Sequence, residues 1–541
     1  MKFKAKYFVI APAFVMLWAA YALQVDSRFY IFEGGSAQYL LMAKSLAEHH
    51  RYHEYFSPEP RPYVKVPPLF GLMLAPVYAV FGADILAMKI LLLAFLALST
   101  VAGYFLFMKL TRDWEKALTI VVLTLLMPLN YSLMEKIGPE IPFLAFSYFT
   151  LFLLLRASEE KFSIASSVFT GVMLGLCILL RTTALVMVLA FLISAAIDIA
   201  AKKSRKNLAQ YVIVLAVSLG IFSGWQLRNR LVSAEGQMGY FDFIFMESRP
   251  GSMELGMNDL GPPLWPGTAR VSVPGFLERA VPNAKFYLEY LSWQVTGKPN
   301  IFILLFFALL GLVGFLSGLK KWPLVSVYGA LYVLQILFWP FSEPRFLSPL
   351  SGLMVFWVLA GASLPASKFK AKATGAYLAQ ALVFLLLAGA AIGFIRLDYK
   401  LLKFSKRKAL PAYKISKHFS IVALTRYRDS FTQLLVWTKN NTEPDAIIAA
   451  IDPSLVYLVA ERKATLFPAT ADHREFWDYL ARNKINYIMV DEIYKDIRGG
   501  VSLMTESYLL PALKDCPYRI NLVAQMPNSQ TMLLSISYNP Q

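Results

Sequence analysis

Long apolar segments alternate with short polar turns over the first three quarters of the chain. Most of the segments are close to the roughly 20 residues that an α-helix needs to cross the hydrocarbon core of a bilayer. The pattern predicts a mainly α-helical, polytopic membrane module in residues 1–395, with about eleven spans. The predicted spans are 8–25, 84–110, 117–134, 141–156, 164–181, 183–200, 208–224, 301–318, 323–340, 346–364 and 373–395.

The apolar segment 67–82 is predicted not to cross the membrane. It has only 16 residues, and Pro67 and Pro68 precede it as they often precede a helix. Counting it as a span would also reverse the side of every later loop. We therefore expect a helix that lies at or just within the outer interface.

The basic residues at the span ends predict the orientation. With the N-terminus inside, only Lys136, Arg181 and Arg345 fall in the short outer turns. The inner ends carry seventeen: Lys2, Lys4, Lys6, Lys109, Arg112, Lys116, Arg156, Lys161, Lys202, Lys203, Arg205, Lys206, Lys320, Lys321, Lys368, Lys370 and Lys372. Short cytoplasmic loops are enriched in Lys and Arg, so this split predicts a cytoplasmic N-terminus. Cleavage of a signal peptide near Ala22 would leave the same orientation.

Three regions then lie outside the membrane on the outer side. They are a first loop at 26–83, a long loop at 225–300, and a tail at 396–541. The tail begins with a basic stretch, but long terminal domains translocate largely regardless of charge. Its apolar runs 446–451 and 485–490 alternate with amphipathic segments, which predicts a small extracytoplasmic α/β domain. No glycine-rich phosphate-binding motif is present in it.

Composition supports a membrane protein. The chain is 57% hydrophobic with a mean hydropathy of +0.51, and its net charge of +18 is concentrated at span ends. Nucleic acid is therefore not expected as a partner. Two cysteines give no disulfide framework, and the histidines at 49, 50 and 53 are expected to be solvated rather than to bind a metal.

The candidate chemistry lies at the outer ends of the spans. The first outer loop carries Asp26 and Glu33, then an amphipathic segment with Tyr39, then Lys65 before the proline pair. A further acid, Glu140, follows Pro139 at the start of a span. A carboxylate in such a place is either an ordinary solvated or helix-terminal residue or a catalytic group.

Several motifs in collinear order resemble the polytopic membrane glycosyltransferases of the GT-C fold. The similarity is to protein O-mannosyltransferases and lipid A aminoarabinose transferases. The motifs are the Tyr39 helix with Val66-Pro67-Pro68-Leu69, Pro139-Glu140-Ile141-Pro142, Gly175-Leu176 through Arg181-Thr182-Thr183-Ala184, Trp225 with Arg228-Asn229, Pro344-Arg345-Phe346-Leu347 with Pro349, and Ala460 to Ala464.

The resemblance implies transfer of a sugar from a polyprenyl-phosphate carrier to an extracytoplasmic acceptor, with inversion and a single carboxylate base. It implies Lys65, Arg181, Arg345 and Lys89 as donor-phosphate ligands, because a phosphate near the apolar boundary needs cations. Tyr39 and Arg228 are implied as substrate-binding residues, and Glu140 as an acid that supports the site. No cofactor is implied, although a divalent cation is left open.

The identity of the base stays open. Relatives place an acid three or four residues before the tyrosine, where this chain has Ser36 and Gly35. The alternatives are that Glu33 has taken the role through a small shift, that Asp26 fills it, or that the site is altered. Lys65 also lies one residue early relative to the proline pair.

Two other functions remain as alternatives to this expectation. One is an aminosugar transferase acting on lipid A, and the other is a transporter or flippase of lipid-linked sugars. A transporter is expected to show inverted repeats or broken helices at mid-membrane, and the sequence shows neither. The plasma (inner) membrane is the expected location.

Overall fold

The computed structural model is mostly helical. It describes residues 17–23, 25–30, 34–159, 163–200, 208–233, 244, 272–296, 300–340, 342–368, 389, 392–396, 399, 413–416, 419–422, 426–468, 470–492 and 504–540. The first loop contains β1 (Arg28–Tyr30), α1 (Gly34–His49), the hairpin β2 (His53–Glu54) and β3 (Arg61–Pro62), and α2 (Leu69–Phe81). The next helices are α3 (Ile85–Thr111), α4 (Trp114–Leu126), α5 (Pro128–Leu133), α6 (Glu140–Glu159), α7 (Ile164–Leu180), α8 (Leu185–Ala200) and α9 (Leu208–Val232).

The second half of the membrane module follows the long loop. Its helices are α10 (Val273–Glu278), α11 (Ala280–Thr296), α12 (Ile301–Lys321), α13 (Pro323–Phe338) and α14 (Ser351–Lys368), the last preceded by a 3₁₀ turn at Pro344–Leu350. In the described part of the chain, 6 helices are long and apolar enough to cross a membrane. The chain is therefore an integral membrane protein. The predicted spans 8–25 and 373–395 lie largely outside the described residues, so the count of eleven remains a prediction.

The predicted span 117–134 is interrupted, which corrects the sequence-based expectation. Helix α4 ends at Leu126, and Met127 takes an extended conformation with ψ of 125° before Pro128 begins α5. The ring of a proline disfavours the helical conformation in the residue before it, so the break follows from Pro128. The apolar pattern alone does not report such a break.

Helix α2 confirms the expected short helix in the segment 67–82. It has 13 residues and begins after Pro68. At about 1.5 Å per residue it is roughly 20 Å long, which is shorter than the roughly 30 Å hydrocarbon core. Leu72, Val80 and Phe81 are exposed on it, as expected of a helix that presents an apolar face to lipid.

Small residues allow close helix packing in the membrane module. A side chain at Gly314 of α12 would overlap the backbone carbonyl of Trp357 in α14, and one at Gly361 would overlap that of Leu310. The two backbones therefore touch at these positions. Close backbone approach through small residues is typical of helix pairs in membranes, where the hydrophobic effect does not drive association.

Gly314→Ala is expected to destabilise the protein by about 1–3 kcal/mol, because the added methyl group meets backbone that cannot move aside easily. The matched control is Gly311→Ala on the same helix, where the new Cβ would lie 3.7 Å from the Val358 side chain, an ordinary contact. Thermal unfolding in detergent compares the two. Equal melting temperatures for both variants would contradict the close packing described here.

The tail forms a mixed α/β domain. Its strands are β4 (Tyr413–Ser416), β5 (Phe419–Val422), β6 (Ile447–Ala449), β7 (Lys463–Thr465), β8 (Tyr487–Val490), β9 (Tyr518–Gln525) and β10 (Met532–Pro540). The main sheet has the order β7-β6-β8-β10-β9. Strand β6 is parallel to β7 and β8, whereas β10 is antiparallel to its neighbours. Both strands predicted in the tail, at 446–451 and 485–490, are present.

The tail is joined to the first outer loop. Strand β1 pairs in parallel with β5. The amide of Ala464 donates to the carbonyl of Phe56 at 2.8 Å, and the Lys463 ammonium donates to the carbonyl of Pro58 at 2.8 Å. The first loop and the tail therefore lie on the same side of the membrane module, as the topology predicts. The tail motif Ala460 to Ala464 supplies both of these hydrogen bonds.

Candidate active site

A buried cluster of ion pairs joins three of the predicted site residues. The Arg181 Nη1 donates to Glu140 Oε1 at 2.6 Å, and Arg345 Nη1 lies 3.5 Å from the same oxygen. Only 6% of the Glu140 side chain is exposed, compared with 17% for Arg181 and 21% for Arg345. The three residues come from the start of α6, the end of α7 and the turn before α14, so they meet only in the folded chain.

A fourth residue, Glu343, belongs to the same cluster. The Nη2 of Arg345 donates to Glu343 Oε1 at 2.9 Å, and the Arg345 Nε pairs with Glu343 Oε2. Two carboxylates therefore accompany two guanidinium groups. The acids offset a large cost, because two buried arginines at an apolar boundary would be unfavourable unless carboxylates neutralised them.

Aromatic rings surround the cluster. The guanidinium carbons of Arg181 and Arg345 lie 5.7 and 5.8 Å from the centre of the Phe346 ring. Arg181 also interacts electrostatically with the hydroxyl groups of Tyr332 and Tyr39. The Tyr39 ring in turn packs edge-on against Phe70, with the ring centres 4.9 Å apart. The cluster thus connects the spans to the helix of the first loop.

The N-terminus of α1 lies beside Arg345. An ideal Cβ at Gly35 would be 3.9 Å from Arg345 Nη1. The guanidinium is therefore directed into the protein, towards the first outer loop, and not onto the lipid-facing perimeter. The first amides of a helix carry a partial positive charge, so Arg345 and this helix end together favour a negatively charged group.

A network of polar residues fixes the turn that carries Arg345. The Ser348 hydroxyl donates to Asn130 Oδ1 at 3.2 Å, and the Asn130 amide donates to the Ser351 hydroxyl at 3.2 Å. Tyr148 accepts a hydrogen bond from the Gly352 amide at 2.9 Å. All of these residues are buried, and polar groups buried in an apolar bundle lose free energy unless they are paired. The network therefore sets the turn at 344–350 against α5 and α6.

Lys65 lies in a part of the first loop that α9 holds. The Lys65 side chain is buried. Arg228 Nη1 donates to the Tyr63 carbonyl at 2.6 Å, and Asn229 Nδ2 donates to the Val64 carbonyl at 3.2 Å. The Arg228 guanidinium also lies over the Trp225 ring, with its central carbon 5.0 Å from the ring centre. The described bonds of Arg228 go to the loop backbone next to Lys65 and to Asn229 Oδ1, and its role in binding substrate remains a prediction.

Asp26 and Lys89 form a second cluster. The Lys89 ammonium donates to Asp26 Oδ1 at 2.8 Å and to the Arg28 carbonyl at 2.9 Å, and none of the Lys89 side chain is exposed. Arg28 Nε occupies the other carboxylate oxygen at 2.7 Å. Two N–H donors of the Lys89 ammonium are used by these partners, and both carboxylate oxygens of Asp26 accept from cations. The roles of Lys89 as a phosphate ligand and of Asp26 as a base remain predictions.

The pKa of Asp26 agrees with a structural role. Burial raises this pKa, but the attraction of Lys89 and Arg28 outweighs burial, so the pKa lies below its ordinary value. A carboxyl whose pKa is lowered on folding stabilises the fold above its unfolded pKa. That contribution is lost as the pH falls through the folded pKa. The cluster is therefore expected to weaken only below about pH 4.

Asp26→Asn is expected to lower the free energy of unfolding by about 3–5 kcal/mol, because it leaves Lys89 buried without its counter-charge. Adding Lys89→Met removes that charge and is expected to restore most of the stability. Transfer by this double variant should stay within about tenfold of the wild type. A loss of about 10²–10⁴-fold in a folded double variant would instead make Asp26 the base.

The remaining predicted residues are placed as follows. Glu33 lies outside the described residues. His49 and His53 flank the ring of Tyr55, with ring centres 4.0 and 6.0 Å apart. Among the described residues, no group of three or more His, Cys, Asp or Glu side chains is arranged to hold a metal ion.

Two features of the site were missed from the sequence. Glu343 lies two residues before Arg345. An acid and an arginine on either side of Pro344 could have indicated that the two side chains form an ion pair. Helix α11 lies in a segment predicted only as a long loop, yet its Tyr287 hydroxyl accepts a hydrogen bond from the Glu343 amide at 3.4 Å. Tyr287 therefore contacts the ion cluster.

Comparisons with known proteins agree with this architecture. Residues 65–226 match the family described as dolichyl-phosphate-mannose-protein mannosyltransferase. That range runs from Lys65 through Glu140 and Arg181 to the start of the Trp225 motif. No curated protein sequence matches the chain significantly.

Solved structures show the same fold. ArnT from Cupriavidus metallidurans in the apo state is 12% identical, with a TM-score of 0.57 over 98% of each chain. ArnT from the same organism bound to undecaprenyl phosphate is 12% identical, with a TM-score of 0.52 over 99% of this chain and 100% of that one. The oligosaccharyltransferase AglB from Archaeoglobus fulgidus, in complex with an inhibitory peptide and a dolichol-phosphate, is 13% identical, with a TM-score of 0.56 over 98% of this chain and 74% of that one. The chain therefore has the fold of the GT-C membrane glycosyltransferases, as the motifs predicted, and its residues 65–226 are similar to the mannosyltransferase family.

Proposed function

We propose that the protein is an inverting membrane glycosyltransferase that takes a sugar from a polyprenyl-phosphate carrier and gives it to an extracytoplasmic acceptor. The observation that carries the proposal is the buried cluster of Glu140, Arg181, Arg345 and Glu343 beside the N-terminus of α1. Two of the structural relatives hold undecaprenyl phosphate or a dolichol-phosphate, which supports a carrier of this class. In this proposal the first loop and the tail face the extracytoplasmic side.

The cluster suits a phosphodiester at the membrane surface. The two acids neutralise the two arginines while the site holds no substrate, which limits the cost of burying their charges. Each guanidinium has five N–H donors in a planar fork, a geometry that suits both carboxylate and phosphate oxygens. The leaving phosphate oxygen gains negative charge as the bond to the sugar breaks, and this charge is what the arginines are proposed to stabilise. Lys65 is proposed as a third ligand of that phosphate.

The proposed base is a carboxylate of the first loop. Glu140 and Glu343 are each paired with arginine, and Asp26 is paired with Lys89, so none of these three carboxylates is proposed as the base. Glu33 is the remaining acid of that loop's predicted set, two positions along the chain from Gly35, which lies beside Arg345. A single base that takes the proton of the acceptor is sufficient for transfer with inversion.

The apolar part of the carrier needs a surface in the bundle. A cavity of about 230 Å³ lies between α4, α11, α12 and α14. Its lining is almost entirely apolar and includes Leu123, Met127, Leu288, Leu291, Phe307 and Trp357. An isoprenoid segment matches such a lining, because it needs no polar partner and can pack against the apolar side chains by van der Waals contact.

Mass spectrometry of cell-envelope glycans, lipids and glycoproteins, with and without the gene, tests the proposal and identifies the acceptor. We expect one class of glycan to lose a single sugar when the gene is deleted, and to regain it with the wild-type gene. Recovery with a Glu33→Gln gene would refute the assigned base. Loss of the sugar together with accumulation of lipid-linked sugar on the inner leaflet would indicate a flippase instead.

A further inference from the structure

One face of helix α11 holds the segment that carries Arg345. Asn283 and Tyr287 are spaced four residues apart, so they lie on the same face of α11, and Arg279 immediately precedes this helix. All three side chains are buried. Each makes a hydrogen bond to the stretch 337–343 that leads from α13 to the ion cluster.

Asn283 caps the end of α13. Its Nδ2 donates to the carbonyls of Leu337 at 2.8 Å and Trp339 at 2.9 Å. Arg279 Nη1 adds a weaker contact, 3.3 Å from the Phe338 carbonyl. The last carbonyls of a helix have no partner within the helix, and at the edge of an apolar bundle a side chain must supply one. Helix α11 therefore fixes where α13 ends.

Tyr287 extends this support to the site. Its hydroxyl accepts a hydrogen bond from the backbone amide of Glu343 at 3.4 Å. The Glu343 side chain is only 2% exposed. The Glu343 carboxylate pairs with two nitrogens of the Arg345 guanidinium, Nε and Nη2. The third nitrogen, Nη1, is directed at Glu140 and Gly35. The orientation of the guanidinium thus depends on where Glu343 is held.

We propose that Glu343, held by Tyr287 of α11, is a positioning residue that sets which edge of the Arg345 guanidinium faces the carrier phosphate. The inference rests on the proposed function, since it assumes that Arg345 binds this phosphate. A planar guanidinium binds two oxygens only in the correct orientation, whereas an ammonium has no edge to orient. A change at Glu343 should therefore alter phosphate binding only while residue 345 is an arginine.

A double-mutant cycle on the full-length protein in nanodiscs tests this dependence. The quantity measured is the Kd for undecaprenyl phosphate carrying no sugar. Glu343→Gln is expected to weaken binding about tenfold or more when residue 345 is arginine. The glutamine amide has a single oxygen acceptor and cannot pair with both Nε and Nη2 of Arg345. In the Arg345→Lys background the same change is expected to alter the Kd by less than about twofold.

Tyr287→Phe provides a second variant that keeps the packing. It removes only the hydroxyl that accepts from Glu343, and we expect the Kd to rise about two- to fivefold with little change in melting temperature. Tyr290→Phe on the same helix is the matched control, because the described ring contacts of Tyr290 are with Phe286 and Trp293 and not with the stretch 337–343, and it is expected to leave the Kd unchanged.

The outcomes separate the inference from the function on which it rests. Equal effects of Glu343→Gln in both backgrounds, or no effect in either, overturn the positioning role while the wild type still binds undecaprenyl phosphate. Failure of the wild type to bind undecaprenyl phosphate overturns the proposed carrier class, and the inference with it.

Discussion

Glu140→Gln is expected to lower the rate of sugar transfer by about 10²–10³-fold, the usual cost of losing one electrostatic element of a preorganised site. The carboxylate lies between Arg181 and Arg345, which share the Phe346 ring. Without its charge the two guanidinium groups repel each other, and both leave the positions in which they could bind a phosphate. Turnover of the purified variant with a polyprenyl-phosphate sugar measures the effect.

The control for this prediction is Glu115→Gln. Glu115 is also an acid in the first turn of a helix, but it is exposed. A helix-terminal acid contributes about 0.3–1 kcal/mol through the helix dipole, so this change is expected to leave transfer intact. If Glu140→Gln behaved like the control, Glu140 would be an ordinary helix-terminal acid.

Arg345→Ala is expected to raise the KM for the carrier-linked donor roughly 30- to 150-fold, since hydrogen bonds to charged groups contribute about 2–3 kcal/mol. Arg345→Lys should recover only part of this loss, because an ammonium replaces the charge but not the two-pronged geometry. Steady-state kinetics with a donor of fixed chain length separates KM from kcat.

Arg156→Ala is the matched control for Arg345. Arg156 lies in the last turn of α6 with its guanidinium 5.9 Å from the Phe152 ring centre, which is typical of a residue that anchors a helix end. Its loss is expected to leave the donor KM unchanged. An equal rise of KM in both variants would mean that Arg345 only anchors its helix, and that the proposed phosphate site is wrong.

The sequence predicted the architecture because its signals are local. Apolar length identifies a membrane helix, and the charge bias explained why 67–82 is a short helix and not a span. Pro67 and Pro68 correctly indicated the start of α2. Pro128 was overlooked because it lies inside an apolar run, and it interrupts the predicted span 117–134. The predicted tail strands, β6 and β8, were recognisable as apolar runs between amphipathic helices.

The site was only partly predictable, because pairing between distant residues is not local. Glu140, Arg181 and Arg345 were each expected at the outer ends of spans, but nothing in the chain showed that the acid binds both arginines. Lys89 was predicted as a phosphate ligand, and only the fold shows that Asp26 lies against it.

Arg228 illustrates the same limit. Its motif indicated importance, and the structure shows that its described bonds go to the backbone of the first loop. Helix α11 was missed because the glycine- and proline-rich composition of 225–300 predicts a loop. The contact of Tyr287 with the Glu343 amide could be found only from the folded structure. The identity of a motif residue is therefore easier to predict than the partner it binds.

Reconstitution of the purified protein in liposomes tests the central claim most directly. The liposomes carry a polyprenyl-phosphate sugar labelled in the sugar, together with an envelope extract as acceptor. The claim predicts that free polyprenyl phosphate is released in step with label entering the extract, and that Arg345→Ala slows both to the same extent when the donor is below its KM. Movement of the labelled lipid between leaflets, without release of polyprenyl phosphate, would contradict it and identify a transporter.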